Sequence, residues 1–287
     1  MPACRSARLR TAVESKPGVM SKPSTATPLF DMHCHLGFCK NPAKAAQELA
    51  RLNIHALSCT ILPDEYESQK QTLANFNNVY VAAGLHPWWA CEHANTASAR
   101  NKLNIAIESA PFIGEIGLDF SPKHAGTKYL QVKFFRDIAS KCTAIGGKVA
   151  SVHTVKSASC VLDFLQDTGA CNAGANNTFI MHWFSGSNDD LLRAQNLGCY
   201  FSVGKKMLTT KRGRAYAAAI PENKLLLETD EPAFAGANFD ANKIKTQLQS
   251  TLNELAILRK CNAGELALRV SKNSKAILNA ASKHHLI

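Results

Sequence analysis

The sequence Phe30-Asp31-Met32-His33-Cys34-His35 has the alternation of a β-strand that ends in two histidines. Side chains of a strand point alternately to its two faces, so His33 and His35 share one face. Two imidazoles placed in this way can bind one divalent cation from a rigid strand. A His-x-His motif alone is modest evidence, because two histidines near a strand end can equally be structural. Its meaning therefore depends on what the rest of the chain brings to this strand end.

The composition is that of a large globular domain with an excess of basic residues. The 287 residues are 46% hydrophobic, and a βα-barrel typically needs about 250 residues. Lys and Arg total 33 against 22 Asp and Glu, which gives a net charge of +11. Such a balance favours a polyanionic partner, nucleic acid above all, and a solvated basic surface is the alternative.

Cysteine usage and hydropathy indicate a protein of a reducing compartment. The 10 cysteines are scattered and form no Cys-x-x-Cys pair, which is typical of free thiols rather than disulfides or zinc ribbons. No apolar run approaches the roughly 18 residues of a membrane span. We therefore expect a cytoplasmic protein with no membrane association.

Residues 1–28 are predicted to be a basic, disordered extension that precedes one domain over 29–287. The extension holds a single acidic residue, Glu14, and no apolar segment follows its arginines, so it is not a secretory signal. An organelle transit peptide is the alternative, although Pro17 and Gly18 shorten any amphipathic helix. Met20 could equally be the true start.

From Leu29 onwards, strand-like apolar stretches alternate with helical ones. The predicted strands are 29–35, 56–62, 79–85, 112–118, 148–152, 178–181, 199–203 and 224–227. One helix is predicted over 88–109, and two closing helices over 244–260 and 263–281. Eight alternating units predict a (β/α)8 TIM barrel, with an open doubly wound sheet as the runner-up. The first strand is not followed by Gly-x-Gly-x-x-Gly, so a dinucleotide site is not indicated.

Histidines and carboxylates recur where the predicted strands end. The C-terminal ends of all strands in a barrel face the same mouth, so these side chains converge on one cavity. The candidate metal ligands are His33, His35, Glu115, His153, His182 and Asp230. Four imidazoles and two carboxylates suit two divalent cations, for which Mg²⁺, Mn²⁺ and Zn²⁺ are candidates. Any one of these residues could be structural, but chance placement of all six at strand ends is much less frequent.

Several motifs of the chain resemble the TatD-type metal-dependent deoxyribonucleases, a branch of the amidohydrolase-like barrels. The motifs are Asp31-x-His33-x-His35, Gly84-Leu85-His86-Pro87, Gly114-Glu115-Ile116-Gly117-Leu118-Asp119, His153, His182-Trp183-Phe184-Ser185-Gly186 and Glu228-Thr229-Asp230-x-Pro232. The resemblance extends from Phe30 to about Leu278. Residues 147–157 and 197–202 are similar to one subgroup in particular, the TatD-like nuclease of the Qat anti-phage system.

This resemblance implies a role for each candidate ligand. His33, His35 and Asp230 would hold one cation. His153 and His182 would hold the second, and Glu115 would bridge the two. A bridging carboxylate suits the separation of about 3.5–4 Å that phosphodiester chemistry uses. The resemblance also implies cleavage of DNA from a 3′ end, preferably of single strands, with Asp230 and Glu115 as catalytic carboxylates and other Qat proteins as partners.

Five further residues are candidates for substrate contacts. They are His86, Lys156, Trp183, Lys205 and Lys206. Many TatD relatives carry an arginine two residues after the histidine of the fifth strand, whereas this chain has Val155 there and Lys156 next to it. A lysine lacks the bidentate fork of arginine. Trp183 is a candidate for stacking on a base, and the two lysines follow the seventh strand, where phosphate sites commonly lie. A turn before Pro87, packing of the barrel mouth and solvated surface are the structural alternatives.

Two other functions stay open. One is a small-molecule amidohydrolase with the same two-metal centre, against which the basic residues at the mouth argue. The other is a non-catalytic subunit of a defence complex that keeps its metals for structure, against which the complete ligand set argues. DNA repair or degradation is the alternative to an anti-phage role.

Overall fold

A computed structural model of the chain, which describes residues 27–94 and 96–284, contains eight parallel β-strands. Their bounds are β1 Leu29–Cys34, β2 Ile54–Cys59, β3 Val79–Ala82, β4 Phe112–Asp119, β5 Val149–Val155, β6 Thr178–His182, β7 Tyr200–Val203 and β8 Leu225–Leu227. Neighbours along the chain pair in order, as a ladder of β1 to β3 and a ladder of β4 to β8. Parallel neighbours require crossover connections, and helices supply them.

Backbone hydrogen bonds join the two ladders into a closed barrel. Between β3 and β4, the amide of Ala83 donates to the carbonyl of Phe112 over 2.9 Å. At the other seam, the amide of Asp230 donates to the carbonyl of His33 over 3.0 Å. The predicted (β/α)8 barrel is thus confirmed.

Helices surround the barrel, and local capping explains where several of them begin. In the first, the side chain of Asn41 accepts from the amide of Lys44 over 2.9 Å, and Pro42 occupies the first turn. The α-helices are α1 Pro42–Arg51, α2 Pro63–Leu73, α3 Ala90–Ala94, α4 Ala97–Ser109, α5 Lys128–Ile145, α6 Ala158–Asp167, α7 Asn188–Asn196, α8 Lys205–Leu208, α9 Lys211–Ala219, α10 Ala241–Arg259 and α11 Ala263–His284.

The single helix predicted over 88–109 is wrong. A 3₁₀ turn, Pro87–Trp89, comes first, and α3 and α4 follow as separate helices. The side chain of Thr96 accepts from the amide of Ala99 over 3.1 Å and caps a new helix start, which interrupts the run. The fifth strand was also predicted too short, because β5 continues to Val155 and contains His153. Both differences lie at the mouth of the barrel.

The N-terminal end of the barrel is closed by the last helix. Phe30, Phe112 and Leu226 from the starts of their strands form one buried cluster with Ile277 and Leu278 of α11. Burial on this side leaves the C-terminal ends of the strands as the open face, which is where (β/α)8 barrels carry their sites.

Most of the predicted N-terminal extension, residues 1–26, lies outside the described residues. Within the part of the chain that is described, none of the helices has both the length and the apolar character that crossing a bilayer requires. The cysteines described there are free thiols, and Cys34, Cys59 and Cys142 are among the buried ones.

Candidate metal centre and substrate cavity

The structure brings all six predicted ligands together at the C-terminal end of the barrel. A cavity of about 900 Å³ opens there. Five of the six line it, and they are His35, Glu115, His153, His182 and Asp230. His33 lies beneath them and is fully buried.

One oxygen of Glu115 faces the two histidines of β1. Glu115 Oε2 is 3.4 Å from Nε2 of His33 and 3.4 Å from Nε2 of His35. Oδ1 of Asp230 is 3.8 Å and 3.5 Å from the same two nitrogens. His33, His35 and Asp230 thus offer ligand atoms close enough to share one cation.

The other oxygen of Glu115 faces a second set of imidazoles. Glu115 Oε1 is 2.8 Å from Nδ1 of His153, 3.4 Å from Nε2 of His86 and 3.9 Å from Nε2 of His182. His86 and His153 form one group with Glu115 that could hold a cation, and His182 forms another with His33 and Glu115. His86, predicted as a substrate contact, therefore lies among the candidate ligands.

The donor atoms of the first set fit a divalent cation. The Nδ1 atom of His35 is 3.1 Å from the carbonyl of Cys59, which can only accept, so Nδ1 carries the hydrogen and Nε2 presents a lone pair. The Nδ1 atom of His33 is 2.7 Å from Oγ of Ser151, and its Nε2 is buried with no hydrogen-bond partner. A nitrogen lone pair and a carboxylate oxygen repel each other unless a proton or a metal cation lies between them. These buried nitrogens are what a metal site requires.

Electrostatics at the centre also favour positive charge. Burial opposes protonation of His35, yet hydrogen bonds with Asp230 and Glu115 outweigh it and raise its pKa to about 10. Burial likewise opposes ionisation of Glu115, but His86 and His33 hold its pKa well below the ordinary value. A charged carboxylate with cationic surroundings is thus the stable state, and a metal ion can take the place of the proton.

Two carboxylates that were not predicted as site residues orient the outer histidines. Oε2 of Glu228 is 2.7 Å from Nδ1 of His182 and accepts from Ser202 over 2.5 Å. Oδ2 of Asp119 is 3.3 Å from Nε2 of His153. Such partners fix the orientation of a ligating imidazole. The sequence contains a signal for both residues. Asp119 shares a motif with Glu115, and Glu228 shares one with Asp230. Each pair is separated by an even number of residues, as are side chains on one face of a strand.

A further carboxylate fixes the segment that carries Asp230. Asp31 accepts from the amide of Thr229 over 2.9 Å and from its hydroxyl over 2.5 Å. Burial raises the pKa of Asp31 to about 7. Asp230 itself adopts a positive φ of 59°, a conformation that non-glycine residues reach only when the surroundings hold them. The contact between Asp31 and Thr229 is part of that support.

The predicted substrate residues fall into two groups. His86, Trp183 and Lys206 line the cavity, and Nζ of Lys206 is 2.9 Å from Oδ2 of Asp230. Lys156 and Lys205 are exposed and do not line it. Adjacent residues of a helix point about 100° apart, which explains why Lys206 of α8 reaches the centre and Lys205 does not.

Exposed aromatic rings form part of the cavity wall, and sequence analysis identified only one of them. Trp183 is 39% exposed, Trp88 is 46% exposed and Phe234 is 68% exposed. Trp88 was assigned to a helix, and Phe234 follows β8 in a segment with no periodic pattern. Exposed apolar rings beside a polar centre are typical of a binding site.

Comparisons with known proteins point to one family. A family model described as "TatD related DNase" matches residues 30–279. The human protein "Deoxyribonuclease TATDN3" is 25% identical over 221 residues, which cover 71% of this chain and 78% of the human one. The Edwardsiella piscicida protein "3′-5′ ssDNA/RNA exonuclease TatD" is 26% identical over 193 residues, which cover 66% of this chain and 71% of its own. The crystal structure of YJJV, a TatD homologue of Escherichia coli, shares the fold with a TM-score of 0.68 at 22% identity and covers 88% of this chain and 98% of its own.

Proposed function

The chain belongs to the TatD-related DNase family, and from this premise we propose that it removes nucleotides from the 3′ end of single-stranded DNA with two divalent cations. Family membership makes it a metal-dependent hydrolase of the deoxyribonuclease type. The observation that carries the finer proposal is the position of Glu115. Its two oxygens face two separate sets of imidazole nitrogens, as a carboxylate between two cations must.

We assign the ligands in two sets around that carboxylate. The first cation is held by His33, His35 and Asp230 on the side of Oε2, and the second by His153 and His182 on the side of Oε1. His86 contacts the substrate in this assignment. Nε2 of His86 is closer to Oε1 than Nε2 of His182 is, so His86 is the rival ligand for the second cation. Under the assignment made here, His86→Ala should leave two ions per chain, whereas His182→Ala should leave about one. The reverse result would make His86 the ligand.

The side chains around the cations have distinct tasks in hydrolysis. Divalent cations in such a site activate water and neutralise charge on phosphate oxygens. Asp230 orients the attacking water and accepts its proton. Lys206 now pairs with Oδ2 of Asp230 at 2.9 Å, and from that position it can exchange this partner for a phosphate oxygen of the DNA. The indole ring of Trp183 stacks on a base of the DNA.

Single-stranded DNA suits the cavity better than duplex DNA does. Exposed aromatic rings can stack only on bases that are not already paired and stacked, and such stacking tolerates any base sequence. The 3′ polarity rests on the Edwardsiella piscicida relative, whose name states a 3′-5′ exonuclease of single-stranded DNA and RNA. The basic balance of the chain, +11, agrees with a polyanionic substrate.

Metal analysis combined with a nuclease assay tests the proposal. We expect about two divalent ions per chain, and progressive shortening from the 3′ end of a 5′-labelled single strand, which a chelator abolishes. Full metal occupancy without nuclease activity would favour the non-catalytic subunit. Turnover of amides or lactones without DNA cleavage would favour the small-molecule amidohydrolase.

We propose anti-phage defence in the cytoplasm, with other Qat proteins as partners, as the cellular role. Residues 147–157 and 197–202, which resemble the Qat nuclease, support it. Phage challenge of cells that carry the complete gene cluster would test it, with the wild-type gene and Glu115→Gln compared. Equal plaque numbers would instead favour DNA repair or degradation.

A further inference from the structure

We infer that Trp88 is a second base-stacking platform, which binds an unpaired base of the DNA beside His153, whereas Trp183 lies beside His182. The inference rests on the proposed nuclease function. It deepens that function by naming a further substrate-binding residue at the site.

Four rings that line the cavity are neighbours in the order Trp88, His153, His182 and Trp183. The ring centroid of Trp88 is 6.4 Å from that of His153, which is 6.3 Å from that of His182, which is 6.4 Å from that of Trp183. His153 and His182 both face Glu115. Each indole is therefore next to a different histidine of the centre where the phosphate would be cleaved, and each is close enough to that centre to contact a base of the same DNA strand.

Trp88 is held in place although much of it is exposed. His124 stacks on the indole with a centroid distance of 4.7 Å and an interplanar angle of 7°. The indole Nε1 donates to Oδ2 of Asp119 over 2.6 Å. Even so, 46% of Trp88 remains exposed. Keeping a large apolar ring rigid but in contact with water lowers the ordering cost of a ligand that stacks on it, and it gives little to folding itself.

The hydrogen bond also links the platform to the metal centre. The same Oδ2 atom of Asp119 is 3.3 Å from Nε2 of His153. The Asp119 carboxylate thus positions a candidate ligand and the platform at once.

Each indole is accompanied by a lysine. Nζ of Lys123 is 5.6 Å from the ring centroid of Trp88, and Nζ of Lys206 is 5.3 Å from that of Trp183. An aromatic ring with an adjacent ammonium group matches the two parts of a nucleotide, because the ring stacks on the base and the cation attracts the phosphate. Each indole lies at the same centroid distance, 6.4 Å, from its neighbouring histidine, so the Trp88–Lys123 pair supports the same interpretation as the Trp183–Lys206 pair.

Binding of a fluorescein-labelled hexathymidylate with cleavage-resistant phosphorothioate linkages, measured by anisotropy on the metal-loaded protein, tests the platform. We expect Trp88→Ala to weaken binding by about 5-fold to 100-fold and Trp88→Phe to retain most of the affinity, because a stacking ring remains. Tyr129→Ala is the matched control, since Tyr129 is 79% exposed and does not line the cavity. Thermal melting of each variant verifies that the fold is intact.

Hexathymidylates with one abasic residue identify the base that is stacked. For the wild type, we expect that removing the base at one position of the DNA weakens binding as much as the substitution Trp88→Ala does. Trp88→Ala should bind the DNA that lacks this base as tightly as it binds the intact DNA. In Trp183→Ala, the base whose removal no longer weakens binding should be at a different position. Unchanged abasic losses in Trp88→Ala would overturn the platform while leaving the nuclease proposal intact. Failure of the wild type both to bind the hexathymidylate and to degrade its unmodified form would overturn both.

Discussion

At the scale of single residues, Glu115 determines the character of the site. It is only 3% exposed, and a buried carboxylate is costly unless it is paired. The imidazoles around its two oxygens supply that pairing, and they are also the atoms that could bind cations. Activity and metal content should therefore depend on the charge of this one side chain.

Glu115→Gln tests that dependence. The amide keeps the shape of the side chain but removes the negative charge, so we expect activity on single-stranded DNA to fall by several orders of magnitude and metal content to fall with it. The fold should survive, as judged by circular dichroism. Glu92→Gln, on the exposed surface of α3, is the control. Activity within a few-fold of wild type in Glu115→Gln would contradict the two-metal proposal.

His55 gives a pH dependence that is separate from the site. Its ring stacks on Phe30 with a centroid distance of 4.8 Å, and its buried Nδ1 has no hydrogen-bond partner. Burial, with repulsion from Lys275, lowers the pKa of His55 below 6.5. The unfolded chain then takes up a proton more readily than the folded one. The stabilisation is fully present above about pH 6.5 and is lost as pH falls through the lower pKa of the folded state.

We therefore expect the Tm of the wild type to fall more steeply below pH 6.5 than the Tm of His55→Phe. The phenyl ring keeps the stacking and cannot be protonated. Lys275→Gln should reduce the loss in part, because it removes the repulsion that lowers the pKa. Parallel Tm curves for wild type and His55→Phe would refute this account.

At the scale of elements, the site depends on how closely strands β3 and β4 approach at their seam. A Cβ atom placed on Gly84, just after β3, would lie 2.3 Å from the carbonyl oxygen of Thr60 and 2.4 Å from the amide nitrogen of Glu115. Both are backbone atoms, which cannot give way as a flexible side chain can. Glycine is thus required where the chain passes next to the central carboxylate.

Gly84→Ala should displace the backbone of Glu115. We expect a Tm lower by about 2–10 °C and reduced metal content, measured on the purified protein. Gly174→Ala is the matched control, because a Cβ atom there meets no atom within 4 Å. Equal metal content in the two variants would show that the seam tolerates the methyl group.

Helix α8 provides a comparison of two adjacent lysines. Replacing both Lys205 and Lys206 by Ala should weaken DNA binding and flatten its dependence on salt, because fewer counterions are released. Lys206→Ala should account for the larger share, since Lys206 lines the cavity. Lys133→Ala on the exposed face of α5 is the control, and metal content is measured in parallel. A larger effect of Lys205→Ala would place the DNA on a different path.

At the scale of the whole molecule, all eight strands of the barrel, from Leu29 at the start of β1 to Leu227 at the end of β8, lie within the described residues. The amide of Leu29 donates to the carbonyl of Asn53 over 3.1 Å and begins the β1–β2 ladder. The seam between β8 and β1 is made by Asp230 and His33. The strands and their closing hydrogen bonds thus form a complete unit over the described residues.

A chain that starts at Thr27 should therefore keep its Tm and its turnover on short single-stranded DNA. The basic residues among 1–26 should raise affinity only for long DNA, through charge that salt screens. Binding of long and short strands at low and high salt separates the two effects. Loss of folding, or of turnover on short DNA at high salt, would show that the first residues belong to the domain.

Local patterns in the sequence predict the eight strands and most of the residues that meet at their ends. His33, Glu115 and Asp230 could be identified because a strand has a period of two and a barrel directs all its strand ends to one mouth. These are local and topological rules that do not depend on exact distances.

Which of these side chains pair follows from contacts between distant parts of the folded chain. The 3₁₀ turn Pro87–Trp89 places Trp88 in the cavity wall. Asp119 links Trp88 to His153, which follows Asp119 by 34 residues in the chain. Lys206 reaches Asp230, whereas its neighbour Lys205 does not line the cavity. Pairings of this kind depend on barrel closure, on strand twist and on side-chain rotamers. Those quantities are set by packing between residues far apart in the chain, which no local pattern encodes.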